Sequence, residues 1–163
     1  MTNHKTADDV RIIPYESIYR NDFRDLNLAW IARYFTVEAK DREYLEDPEG
    51  RIVNKGGSIL LAQEAGGAVI GCVSLIPYTS EVFELAKMAV HESAQGRGVG
   101  RRLINAAIDQ ARLIGARSLY LESNSSLVPA LTLYERVGFR RQSPESRPNS
   151  PYARCNVYMT LDL

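Results

Sequence analysis

The chain has only two cysteines, Cys72 and Cys155, and no Cys-x-x-Cys pair. That excludes a disulfide framework and a dithiol redox motif, and leaves two reduced thiols as the expectation. The two histidines, His4 and His91, stand far apart with no metal-ligand spacing around them. No metal is expected. No apolar run approaches the roughly 20 residues of a membrane-crossing helix. Met1 to Asp9 is polar and lacks the apolar core of a secretory signal. A cytoplasmic location, with no membrane as partner, is therefore expected. Neither sign of charge is in excess, with 20 Lys plus Arg against 20 Asp plus Glu. Nucleic-acid binders usually carry a basic excess, so no nucleic acid is expected as partner. Repeats, low-complexity tracts and linkers are also missing, and 163 residues fit one domain.

What the chain does have is a glycine cluster. Residues Gln95 to Gly100 read Gln-Gly-Arg-Gly-Val-Gly, and an amphipathic helical pattern follows at once. Glycines let the backbone turn tightly and leave its N–H groups open. A helix beginning there adds unsatisfied N–H groups and the positive end of its dipole. The combination suits a pyrophosphate. Two nucleotide signatures are excluded. A Walker loop ends in Gly-Lys-Ser or Gly-Lys-Thr, whereas Gly100 precedes Arg101-Arg102. A dinucleotide fingerprint is Gly-x-Gly-x-x-Gly, a spacing that Gly96, Gly98 and Gly100 do not have.

The patterning predicts a first strand over 10–15, a helix over 17–35 and a second helix over 37–46 that ends at Asp47-Pro48. Strands follow over 58–64, 68–77 and 82–90, the first two joined by a turn at Gly66-Gly67. After the glycine loop, Leu103, Ala107, Ala111 and Ile114 mark one helix face, closed by Gly115. A strand over 117–123 comes next. A helix then opens at Pro129 and is stopped by Gly138. Short strands over 139–142 and 156–161 flank a proline-rich loop. The fold class is α/β, with hairpins first and a β-α-β crossover around the glycine loop.

Gln95-Gly96-Arg97-Gly98-Val99-Gly100, preceded by Leu85-Ala86-Lys87-Met88-Ala89-Val90, resembles the acyl-CoA signature of the GNAT superfamily of N-acetyltransferases. Asn124, Ala130 and Leu133-Tyr134-Glu135-Arg136-Val137-Gly138-Phe139 resemble its second signature, in the right order. The resemblance covers most of the chain and is strongest from Glu84 to Phe139. It implies one GNAT domain over residues 1–163. That domain has a mixed, mostly antiparallel sheet of about seven strands flanked by about four helices. It implies acetyl-CoA as co-substrate. The pantetheine arm would lie between splayed fourth and fifth strands and pair with the backbone of Met88, Ala89 and Val90. The pyrophosphate would fall on the N–H groups of Gln95, Gly96, Arg97, Gly98, Val99, Gly100 and Arg101. The side chains of Arg97, Arg101 and Arg102 are placed to meet phosphates. Asn124 and Ala130 would contact the cofactor.

The resemblance also implies roles in chemistry. Tyr134 is the expected acid for the departing CoA sulfur. Glu84 is the expected base for the acceptor amine, with Met88 and Val90 sharing its face by strand alternation. A backbone N–H near Met88 to Val90 would meet the developing oxyanion. His91 is expected to be a loop residue. The acceptor is a small-molecule or peptide amine, and a homodimer is one assembly the family allows. Trp30, Arg33, Tyr34, Glu38, Asp41, Tyr78, Tyr152 and Arg154 are candidates for the acceptor side. Glu38 and Asp41 would hold an amine, and Arg154 with Tyr152 a carboxylate. The alternative is a non-catalytic acyl-CoA sensor of the same fold. Retention of both Glu84 and Tyr134 favours the enzyme. A DNA-linked regulator is excluded by the short chain and its neutral charge.

Overall fold

A computed structural model describes residues 9–146 and 150–163. His4 and the polar start of the chain, to residue 8, lie outside the described residues. Seven strands form one sheet: β1 (Val10–Pro14), β2 (Ser58–Glu64), β3 (Val69–Pro77), β4 (Val82–Val90), β5 (Ser118–Ser123), β6 (Arg140–Gln142) and β7 (Val157–Asp162). Their order is β1-β2-β3-β4-β5-β7-β6. Every pairing is antiparallel except β4 with β5. Five helices accompany them: α1 (Arg20–Tyr34), α2 (Ala39–Glu46), α3 (Pro48–Arg51), α4 (Val99–Leu113) and α5 (Val128–Val137).

Two cores sit on opposite faces of the sheet. On one, Leu103, Ile104, Ala107 and Ala111 of α4 and Leu131 of α5 pack on Val73, Leu75, Leu85, Leu119 and Leu121. On the other, Phe23 and Ile31 of α1, Leu45 of α2 and Ile52 pack on Leu61, Cys72 and Ala89. The parallel β4–β5 pair is joined by a crossover through α4, as parallel neighbours require.

The boundaries differ from expectation in physically clear ways. The α1 segment begins as a short 3-10 turn at Ser17–Tyr19. Helix α2 starts later than residue 37, because Glu38 caps it and accepts the reciprocal contact of Asp41 in a capping box. Asp47-Pro48 does not simply end a helix. The Asp47 carboxylate accepts the Gly50 N–H at 3.1 Å and Pro48 takes the first turn, so a new helix, α3, begins there. Helix α5 stops where Gly138 adopts φ 115°, a conformation that costs glycine little. Among the described residues, no helix is long and apolar enough to cross a membrane.

Candidate active site

The parallel ladder between β4 and β5 is short. It runs only through Val82–Ser118, Phe83–Leu119 and Glu84–Tyr120. Beyond Glu84 the two strands part, and the β5-facing edge of residues 85–90 has no strand partner among the described residues. An unpaired strand edge is a template for an extended chain carrying amides. The opening widens into a groove of about 720 Å3 that crosses the molecule beside the glycine loop.

At one end of the groove lies the N-terminus of α4. Gly96 and Gly98 adopt φ 76° and 75°, left-handed values that side chains disfavour, and this is why glycines stand there. Gly98 caps α4, and Arg102 N–H closes the first bond to its carbonyl at 3.2 Å. The N–H groups of Val99, Gly100 and Arg101 precede that bond, so helix geometry leaves them available to a ligand. Gly100 faces Leu133 of α5, where a Cβ would lie in ordinary contact at 3.4 Å. The backbone and chemistry present therefore fit a pyrophosphate. Gln95, Gly96, Gly98, Val99, Gly100 and Arg101 all line the groove. Arg97 does not: its guanidinium is bound to Glu64 at 3.0 Å, largely buried against β2. His91 caps the turn before the loop, its Nδ1 accepting the Ser93 N–H at 3.1 Å.

The middle of the groove holds the expected chemical groups. Met88, Ala89 and Val90 form one wall, and Ala130 and Tyr134 of α5 the other. Tyr134 packs edge-on against the buried Phe139 at 6.2 Å. Burial pushes its phenol up to about 12. Glu84 sits at the last paired rung, where the strands part. Burial, then the nearby Glu122 charge, pushes its carboxyl up to about 7 against the opposing Lys87 charge. Asn124 lines the groove too, but its side chain is engaged. Its amide donates to the Arg154 carbonyl at 2.7 Å, and its oxygen accepts the Ser126 N–H at 2.8 Å.

One expectation about β4 is corrected. Met88 and Val90 do not share the Glu84 face. Lys87 has φ 53°, and Val73 alone of β3 stands opposite Lys87 and Met88. This bulge adds a residue and reverses the alternation. Glu84 and Ala86 precede it. Ala86 and Ala89 then pack with the α1–α3 core, whereas Met88 and Val90 pack with the α4–α5 core.

The acceptor end also differs from the expected division of labour. Glu38 and Asp41 are not open to an amine, nor Arg154 to a carboxylate, because they bind one another. Arg154 donates to both Asp41 oxygens, at 2.7 and 2.8 Å, and to Glu38 at 3.1 Å. Lys87 donates to Asp41 at 3.3 Å and to the Tyr152 hydroxyl at 2.6 Å. The Tyr152 ring lies between the two cations, 4.5 Å from each. Asp41 is fully buried. Burial pushes its carboxyl up, but the Arg154 bonds, the Glu38 N–H and the Lys87 charge outweigh this and hold it below the usual range. The network ties the loop before β7 to α2 and closes one side of the groove. Tyr34, Tyr152 and Arg154 line that side, while Glu38 stands behind it.

Residues not singled out in the sequence complete the site: Lys87, Glu122 and Cys155 line the groove. Glu122 had a signal, since it alternates with Tyr120 in an otherwise apolar strand. Lys87 had none, because only the bulge turns it inward.

A splayed β4–β5 pair, a glycine loop opening the crossover helix, and a tyrosine on the following helix define an acyl-CoA-dependent N-acetyltransferase architecture. The model of the acetyltransferase (GNAT) family matches residues 19–139, and the chain belongs to that family. It is 32% identical over 109 residues to an uncharacterised N-acetyltransferase of Bacillus subtilis, covering 65% of this chain and 70% of that one. A GNAT-family acetyltransferase from Staphylococcus aureus superposes with a TM-score of 0.86 at 21% identity, covering 94% of this chain and 98% of that one. A Salmonella typhimurium acetyltransferase solved with acetyl-CoA superposes with a TM-score of 0.73 at 22% identity, covering 94% and 93%. At these identities the two structures speak to the fold.

Proposed function

We propose that the protein transfers an acetyl group from acetyl-CoA to a primary amine of a small molecule or peptide, by direct attack within a ternary complex. The observation that carries this reading is the parting of β4 and β5 at Glu84, with Tyr134 and the α4 N-terminus along the same groove. Acetyl-CoA supplies the activated thioester carbonyl. The unpaired edge at Met88, Ala89 and Val90 holds the pantetheine amides, and Gln95 to Arg101 hold the pyrophosphate with backbone N–H groups. Arg101 adds its charge, and Arg97 contributes through its backbone while its side chain stays on Glu64.

Glu84, with its carboxyl near neutrality, takes a proton from the acceptor ammonium so that the amine can attack. A β4 N–H faces the charge that develops on the carbonyl oxygen. Tyr134 stands protonated to meet the departing sulfur. A free thiol near pKa 8.5 would be a poor match for a phenol near 12. The groove changes that comparison. Burial, with the Glu122 charge, pushes the Cys155 thiol in the same groove up to about 11. Burial raises a thiol as it raises the phenol, so the environment that keeps Tyr134 protonated also favours protonation of the departing sulfur.

The reading treats residues 1–163 as one domain acting in the cytoplasm. The presence of both Glu84 and Tyr134 on the groove supports an enzyme over a sensor. Amine-dependent release of CoA thiol from acetyl-CoA tests it. Turnover is expected with the wild type; acetyl-CoA binding without turnover of any amine would restore the sensor reading.

A further inference from the structure

Asparagine is a poor helix former, and an amide is costly to bury. Helix α1 nevertheless carries Asn27 in its middle, 2% exposed, on the face turned to the sheet. Its Nδ2 donates to the Phe23 carbonyl at 2.9 Å and to the Cys72 sulfur at 3.3 Å. The fold needs neither bond. Helix geometry already gives the Phe23 carbonyl the Asn27 backbone N–H. Cys72 makes a link of its own, donating to the Lys87 carbonyl in the β4 bulge at 3.4 Å. Leucine would fill the position without burying an amide.

What these bonds do is fix the amide. With Nδ2 held by a carbonyl, Oδ1 is the end left over. It accepts no hydrogen bond among the described residues, and it is not among the atoms sealed in protein without a partner. The opening left to it is the groove, which Asn27 lines. Asn27 therefore turns a fixed acceptor atom to the groove from the α1 side. Cys72, which it touches, stands opposite Ala89 on the strand that the reading above assigns to the thioester donor. An oxygen with unused lone pairs in such a place suits an N–H group of a ligand.

We propose that Asn27 receives the reacting nitrogen of the acceptor and makes the site selective for primary amines. The inference rests on the transfer reading above. Asn27 itself gains and loses no proton. The acceptor ammonium gives one proton to Glu84. Its nitrogen then bonds the thioester carbon as the C–S bond breaks. It sheds a second proton, which replaces the one that Tyr134 gives to the sulfur. A primary amine keeps a third N–H throughout, and Asn27 Oδ1 accepts it. That bond strengthens as the nitrogen becomes positive during attack, so it favours the transition state over the bound amine. It also turns the nitrogen lone pair away from α1. A secondary amine has no third N–H. Its last proton must either stay with Asn27 or be shed, so one of the two roles is lost.

The test ranks phenethylamine, butylamine, diaminobutane and glycinamide by release of CoA thiol from acetyl-CoA. The best of them is then compared with its N-methyl counterpart. The wild type is expected to favour the primary amine in kcat/KM by about tenfold or more, the size of one hydrogen bond to a charged group. Asn27→Leu should cut kcat/KM about tenfold more for the primary amine than for the N-methyl counterpart. That ratio cancels the bulk of the methyl group and any general loss of folded enzyme. Asn27→Asp keeps an acceptor oxygen but buries a charge. It should therefore have a lower Tm than Asn27→Leu and still a higher kcat/KM for the primary amine, whereas a purely structural role predicts the reverse order in kcat/KM. Equal rates for the two amines in the wild type, an unchanged ratio in Asn27→Leu, or Asn27→Leu outperforming Asn27→Asp would overturn the role of Asn27. Absence of turnover with every primary amine, while acetyl-CoA binds, would overturn the transfer reading instead.

Discussion

In the proposed mechanism, burial acts on Tyr134 and Glu84 in the same direction and suits them to opposite roles. Burial keeps the phenol protonated and so able to donate. It lifts the carboxyl to about 7, where it can accept a proton at neutral pH. Tyr134→Phe is expected to lower kcat by about 100-fold, the lower range for a positioned acid. The acetyl-CoA dissociation constant should change little, which calorimetry on the variant checks. For Glu84 the folded-state pKa lies above the ordinary glutamate value of 4.5. Its charge is therefore disfavoured by folding. No penalty exists below about pH 4.5, and it develops fully as pH rises through about 7. Glu84→Gln should accordingly raise Tm relative to the wild type at pH 8, with the gain vanishing near pH 4.5. The same variant should lose the acidic limb of the kcat/KM profile near pH 7. A flat Tm difference across that range would remove the buried-carboxyl explanation. That both line the groove was legible in the sequence, Tyr134 lying inside a motif and Glu84 just before one. Their pKa values were not, since those depend on Glu122, Lys87 and groove walls drawn from other parts of the chain.

Strand β4 carries most of the site, and its bulge is what makes one strand serve two faces. Without the extra residue, Lys87 would point with Leu85 toward the α4 core. With it, the ammonium reaches Asp41 and Tyr152. The left-handed Lys87 conformation is costly for a long side chain and persists because the ion network holds it. Asp41 on α2 is the centre of that network, fully buried and bonded to both cations. Asp41→Ala is expected to destabilise the fold by about 3–5 kcal/mol, because it leaves the buried Lys87 without a carboxylate and Arg154 with Glu38 alone. Thermal or denaturant unfolding of the variant measures this. A loss below about 1 kcal/mol would mean that the network is only decorative. The hairpin strands, the crossover helix and the Gly138 stop were all readable from local pattern. Helix α3 was not, since Asp47-Pro48 reads equally as the end of one helix and the start of another. Nor was the pairing of Arg154 with Asp41, which joins residues 113 positions apart. The expected sharing of Glu38, Asp41 and Arg154 between amine and carboxylate failed for that reason. No local signal shows which charges satisfy one another.

At the scale of the whole molecule, formal neutrality conceals an uneven distribution. The α4 N-terminus with Arg101 offers positive potential at one end of the groove, and the other end holds Glu84 and Glu122 beside Lys87 and Arg154. An anionic donor is thereby drawn to the end beside the glycine loop. The glycine loop made the donor end legible, whereas the acceptor end had to be assembled from α2, β4, β5 and the loop before β7. Everything depends on the β4–β5 opening being a thioester-donor site. The most direct test is titration of acetyl-CoA into the wild-type protein, followed by calorimetry and by Tm. One-to-one binding is expected, competed by CoA, with stabilisation of about 2.7 kcal/mol at a hundredfold excess over Kd. Absence of both binding heat and a Tm shift at millimolar acetyl-CoA would contradict it.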